Sequence, residues 1–146
     1  MIEQAFHFAV SDYHYAVKSA VIDDILWHWT QLHGKAGKRY WSEQALLNDG
    51  EYIIEEQVIP RKYIHQLLVE QTPNYITKED IAQLLQAHLY CCVITEAEDH
   101  QLRKMNLSER MPDSFTDPTH TDYQNPWIRY KLAGINPLKG KISQGV

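Results

Sequence analysis

Cysteine is nearly missing from this chain: two of 146 residues, adjacent at Cys91 and Cys92. Neighbouring cysteines rarely pair, so a disulfide framework is excluded. Thiols inside an apolar stretch read as buried and reduced, which points to the cytoplasm. Long hydrophobic runs are missing too, since none approaches the roughly 20 residues that cross a bilayer. The first ten residues carry an acid at Glu3 and no basic flank, so they do not read as a secretory signal. An excess of base is also lacking. Net charge is −5 with neutral histidines, which argues against a general nucleic-acid coat.

What remains is an ordinary globule. Hydrophobic residues make up 44% and charged residues 23%, enough apolar surface for a core and too much for disorder. A chain of this size is one domain. The reading is a single globular unit over 1–136, with 137–146 as a flexible C-terminal tail.

The clearest pattern runs from Ser11 to Leu32, where Val10, Tyr13, Val17, Val21, Ile25 and Leu32 recur at mostly helical steps. Ser11 reads as its N-cap and Gly34 as its stop. Gly34 to Arg39, GKAGKR, lacks the spacing and closing Ser/Thr of a phosphate loop, so it reads as a connector. Ser42 caps a short helix from Glu43 to Leu47, which ends at the turn Asn48-Asp49-Gly50. Pro60 opens a helix to about Gln71. Thr77 with Asp80, and Thr95 with Glu98, are capping boxes that open two more. Asn125-Pro126 starts a last short helix, ended by Gly134. From Asn106 to Gln124 periodicity is lost, and a loop this long is functional or pinned to the core. The predicted architecture is mainly α: a compact domain of five to six helices. One or two short strands, near Tyr52–Val58 and Leu89–Ile94, would make it α+β.

Candidate chemistry is sparse. Asp24 and His28 lie one helical turn apart, and with His14 or His120 they would form an Asp/His site for a small metal-dependent hydrolase or nuclease. The bland alternative is a polar stripe on a mostly buried helix. Asp113, Asp117 and Asp122 crowd the long loop without the calcium-loop spacing. His65 and His88 read as satisfied interior histidines. Glu55 to Pro60 resembles, over six positions, the first strand of His-Asn-His nucleases, in which a catalytic His precedes a Val/Ile-Pro pair. The resemblance places the general base at Gln57, which cannot abstract a proton. It therefore implies a copy without that catalysis. Met111, Phe115, Trp127 and Tyr130, with Arg110 and Arg129, either pin the loop or form a binding surface.

Charge is unevenly spread. Between Tyr40 and Pro60 lie Glu43, Asp49, Glu51, Glu55 and Glu56, with no Lys or Arg. After Asp122 come Arg129, Lys131, Lys139 and Lys141, with no acid. The expectation is a small acidic cytoplasmic protein that binds and neutralises a partner, in the manner of immunity proteins, antitoxins and phage-encoded inhibitors. Glu43, Asp49, Glu51, Glu55 and Glu56 would meet a protein with a basic surface. No cofactor and no metal enter this reading. A nucleic-acid binder using Lys35, Lys38, Arg39 and the tail ranks third.

Overall fold

A computed structural model describes residues 1–35, 39–48, 51–70 and 76–139. Among them are seven α-helices and a four-stranded sheet, so the fold is α+β with more helices than the sequence pattern suggested.

The helix expected from Ser11 to Leu32 is present but starts four residues later, and a further helix that the pattern did not mark precedes it. Helix α1 spans Ile2–Val10 and α2 spans Tyr15–Trp29, prolonged by a π-helical turn, Thr30–Gly34. Ser11 closes α1 instead of opening α2: its hydroxyl donates to the Phe8 carbonyl at 2.9 Å. The N-cap of α2 is His14, whose ring nitrogen accepts from the Ala16 amide at 3.3 Å. Short polar side chains bond to nearby backbone groups at either end of a helix, so Ser11 serves the preceding helix and not the following one.

The remaining helices are α3 (Glu43–Leu47), α4 (Arg61–Glu70), α5 (Lys78–His88), α6 (Glu96–Lys104) and α7 (Ile128–Ala133). Their starts follow local chemistry. Ser42 Oγ accepts from the Ala45 amide at 3.0 Å. Thr77 with Asp80, and Thr95 with Glu98, form reciprocal capping boxes. Gly134 ends α7 in the left-handed conformation at φ 71°, where a side chain would be strained.

The strands are β1 (Tyr40–Ser42), β2 (Ile53–Gln57), β3 (Cys91–Thr95) and β4 (Pro137–Lys139), in the order β2-β3-β1-β4. Strand β3 is buried throughout. It pairs antiparallel with β2, Ile53 opposite Thr95 and Gln57 opposite Cys91, and parallel with β1. Strand β4 pairs antiparallel with β1, so the first three residues of the segment read as a flexible tail are held by the sheet.

Two cores result. Ile22, Leu26, Ile64, Leu68, Ile81 and Leu85 fill the space among α1, α2, α4 and α5. Val58, Cys92, Ile94, Leu102, Tyr130 and Ile135 form the second, against the sheet, α6 and α7. Each fully buried aliphatic side chain contributes roughly 1.5–3 kcal/mol. The aperiodic loop after α6 is pinned: Met111 and Phe115 are buried in the first core, and Tyr63 meets the Phe115 ring edge-on at 5.5 Å.

Candidate binding surface

Successive side chains of β2 point to opposite faces of the sheet, which separates the two neighbouring acids Glu55 and Glu56. Glu56 turns inward. Its carboxylate accepts from Arg129 Nη2 at 2.8 and 3.2 Å and from the Tyr130 hydroxyl at 2.6 Å. Arg129 is fully buried and spends its remaining donors on carbonyls. It reaches Val58 O at 2.9 and 3.2 Å, Leu107 O at 2.6 Å, Ser108 O at 3.5 Å, and Gln57 O. Burial pushes the Glu56 carboxyl above its ordinary value, while Arg129 and Tyr130 pull it back. Burial, then the Glu56 charge, pushes the Tyr130 phenol well up. The Glu56 carboxylate is therefore neutralised internally, by an arginine outside the acidic segment.

Glu55 turns outward and lies 3.4 Å from Lys35 Nζ. Glu43 is exposed in the first turn of α3, its carboxylate accepting from Asn136 Nδ2 at 3.3 Å. Glu51 is exposed in the turn before β2. Asp49 lies outside the described residues. Of the five acids singled out from the sequence, Glu43 and Glu51 precede Gln44 and Tyr52, which line one feature, and Glu55 and Glu56 belong elsewhere.

That feature is a groove of about 360 Å³ between α3, the start of α6 and the turn after α7. Gln44, Asn48, Tyr52, Glu96, Gln101 and Gly134 are among its lining residues, and no described Lys or Arg lines it. The Glu96 amide donates to the Tyr52 carbonyl at 2.8 Å, which fixes the turn against α6. Tyr52 holds a positive φ of 52° and is 74% exposed, and neighbouring Leu47 is 69% exposed. Glu98 is spent locally, accepting from Thr95 N at 2.8 Å and Ser42 Oγ at 2.6 Å. Glu96 is the exposed carboxylate of the lining, and exposed Glu43 and Glu51 are chain neighbours of the lining residues Gln44 and Tyr52.

The Asp/His site does not assemble. Asp24 and His28 form an exposed pair on α2, with His28 Nδ1 at 2.9 Å from the Asp24 carbonyl and 3.5 Å from its carboxylate. His14 sits fourteen residues earlier, at the helix start, about 21 Å away along the axis. His120 Nδ1 accepts from the Asp122 amide at 3.0 Å within the long loop. Among the described residues, no three His, Cys, Asp or Glu side chains gather as a metal cage.

The cations are dispersed as well. Lys35 faces Glu55, Arg129 is internal, and Lys131 Nζ lies 3.0 Å from both oxygens of Asp122. Arg39 and Lys139 are exposed, and Lys38 and Lys141 lie outside the described residues. Arg110 donates to the Asn106 carbonyl at 2.9 Å. At the position where the His-Asn-His resemblance puts a base, Gln57 makes structural bonds. Its Nε2 donates to Thr30 Oγ1, and its Oε1 accepts from Arg61 N at the start of α4, both at 2.9 Å. Cys91 and Cys92 are buried, and burial pushes each thiol up to about 12, so neither is a nucleophile.

Comparison with known proteins yields no matching family model, no significant match among curated proteins and none among solved structures. The surface stands on its own geometry.

Sequence reasoning missed Tyr52 and Glu96 as members of one surface. The Asn-Asp-Gly turn and the Thr95–Glu98 capping box marked their local positions. Their juxtaposition depends on β2 pairing with β3, which no local pattern encodes.

Proposed function

We propose that this chain is a small acidic binding protein that inhibits or neutralises a partner by docking on a basic surface. The docking face is the groove between α3 and α6. One observation supports the reading: the exposed Tyr52 side chain and the exposed acid Glu96 line one groove, and the exposed residues Glu43, Leu47 and Glu51 adjoin its lining residues Gln44, Asn48 and Tyr52 along the chain. An aromatic and an aliphatic anchor supply contact area, and surrounding carboxylates select a cationic partner and speed its approach. The role suits a reducing cytoplasm, because both thiols are buried and unpaired.

The test reverses charge at Glu43→Lys, Glu51→Lys and Glu96→Lys together, and removes the anchor separately with Tyr52→Ala. A partner captured by the wild-type chain is purified and its association measured at low and high salt. The reversal is expected to slow association at least tenfold at low salt and to erase the salt dependence. Tyr52→Ala is expected to speed dissociation instead. Unchanged binding by both variants would remove this reading.

A further inference from the structure

A second cavity, of about 690 Å³, opens at the starts of β1 and β3. Four elements converge there: the end of the π-helical turn, the start of β1, the last turn of α5 and the residues leading into β3. Gly34 makes the convergence possible. A Cβ at this position would lie 2.9 Å from the Leu89 carbonyl oxygen. The π-helical turn therefore approaches the backbone before β3 more closely than any side chain permits. Such turns recur at functional sites because the widened backbone displaces the side chains around it.

The lining combines flat rings with one cation. Trp29 and His33 contact each other with centroids 4.4 Å apart, and Tyr40 and Tyr90 lie 5.5 Å apart. Burial pushes the Tyr90 phenol up to about 12, so it stays a neutral hydrogen-bond donor. Arg39 is exposed and makes no ion pair among the described residues. Gln86, on the last turns of α5, adds an amide.

We propose that this cavity binds a small planar aromatic anion of the nucleoside monophosphate class, with its ring on the aromatic wall and its phosphate on Arg39. The volume lies within the roughly 300–1,000 Å³ typical of small-molecule sites. Aromatic side chains accept the π-face of any base, and a guanidinium forks onto phosphate oxygens. The aromatic wall offers a base contact area that free phosphate cannot use, so the ring and the phosphate together carry the affinity. Cys91 also reaches the cavity, but its thiol stays protonated. The site holds its ligand and offers no sulfur nucleophile.

The experiment titrates AMP, GMP, CMP, UMP and inorganic phosphate into the full chain, followed by calorimetry and tryptophan fluorescence. At least one nucleotide is expected to bind and to perturb Trp29, with inorganic phosphate at least tenfold weaker. Arg39→Ala is expected to weaken nucleotide binding about tenfold or more, with Arg39→Lys in between. Arg39 is a surface residue, and thermal melting checks that both variants fold. The assignment is overturned by any of three results: no nucleotide binds at millimolar concentration, Arg39→Ala binds like wild type, or phosphate alone binds as tightly.

Discussion

The buried guanidinium of Arg129 and the carboxylate of Glu56 meet at 2.8 Å across a sequence separation of 73 residues. Their contact joins α7 to β2, and the other Arg129 donors tie in the backbone after β2 and after α6. A single side chain thus closes the second core around polar groups that would otherwise be buried without partners.

Arg129→Leu strands the Glu56 charge and the carbonyls of Val58 and Leu107. The expected cost is about 3–5 kcal/mol, read by urea unfolding at pH 7. Losing Arg129 also removes the main influence holding the Glu56 carboxyl down, so its folded value rises further above the ordinary 4.5. A group raised in this way contributes stability that is complete below about pH 4.5 and is lost as pH climbs through the folded value. The variant should therefore lose stability more steeply than wild type from pH 4.5 to 7. Parallel pH profiles would refute the assignment of Glu56 as the responsible group.

Gly34→Ala places a methyl group 2.9 Å from the Leu89 carbonyl. Backbone must move, and overpacking of this kind costs about 1–3 kcal/mol. The control is Gly134→Ala, where the added Cβ meets nothing but the φ of 71° is unfavourable. Equilibrium unfolding of both should show loss at each site, with altered nucleotide titration at Gly34 alone.

Neither cysteine should react in the native state. Both thiols are buried and pushed up to about 12, so a chromogenic disulfide reagent at pH 8 is expected to label neither until denaturant is added, and then both. Rapid native labelling would show that the sheet opens around β3.

The two capping boxes differ in context. Thr95 is buried between strand and helix, and Thr77 opens α5 from an exposed position. Thr95→Ala is expected to cost about 1–2 kcal/mol and Thr77→Ala about 0.5–1 kcal/mol. Thermal melts of the two variants settle the order.

Acid should loosen the long loop. Hydrogen bonds from Lys131 and Asn125 hold the Asp122 carboxyl below its ordinary 3.8. Its contribution is present above that value and is lost as pH falls through the lower, folded one. Asp122→Asn is expected to lower stability at pH 7 and to flatten the decline below pH 4.

The sequence by itself determined the features that a few neighbouring residues can encode. Ser42, Thr77, Thr95 and Gly134 end or begin helices because each acts on backbone groups within one turn of itself. The apolar run before Thr95 is a buried strand, and the acidic stretch after Tyr40 was visible as charge. Ser11 has the chemistry of a helix start, yet it ends α1, and His14 opens α2; the same short polar group can serve either end, so local pattern does not fix that boundary. Strands β1 and β4, three residues each, are too brief to carry a period.

Only the tertiary structure decided what the acids face. Alternation along β2 sent Glu56 to Arg129 and Glu55 to Lys35, while pairing of β2 with β3 carried Tyr52 to Glu96. The reason is physical. Capping energies depend on atoms a few residues apart, whereas the partner of a buried charge is set by which distant segments the sheet and the two cores bring within 3 Å.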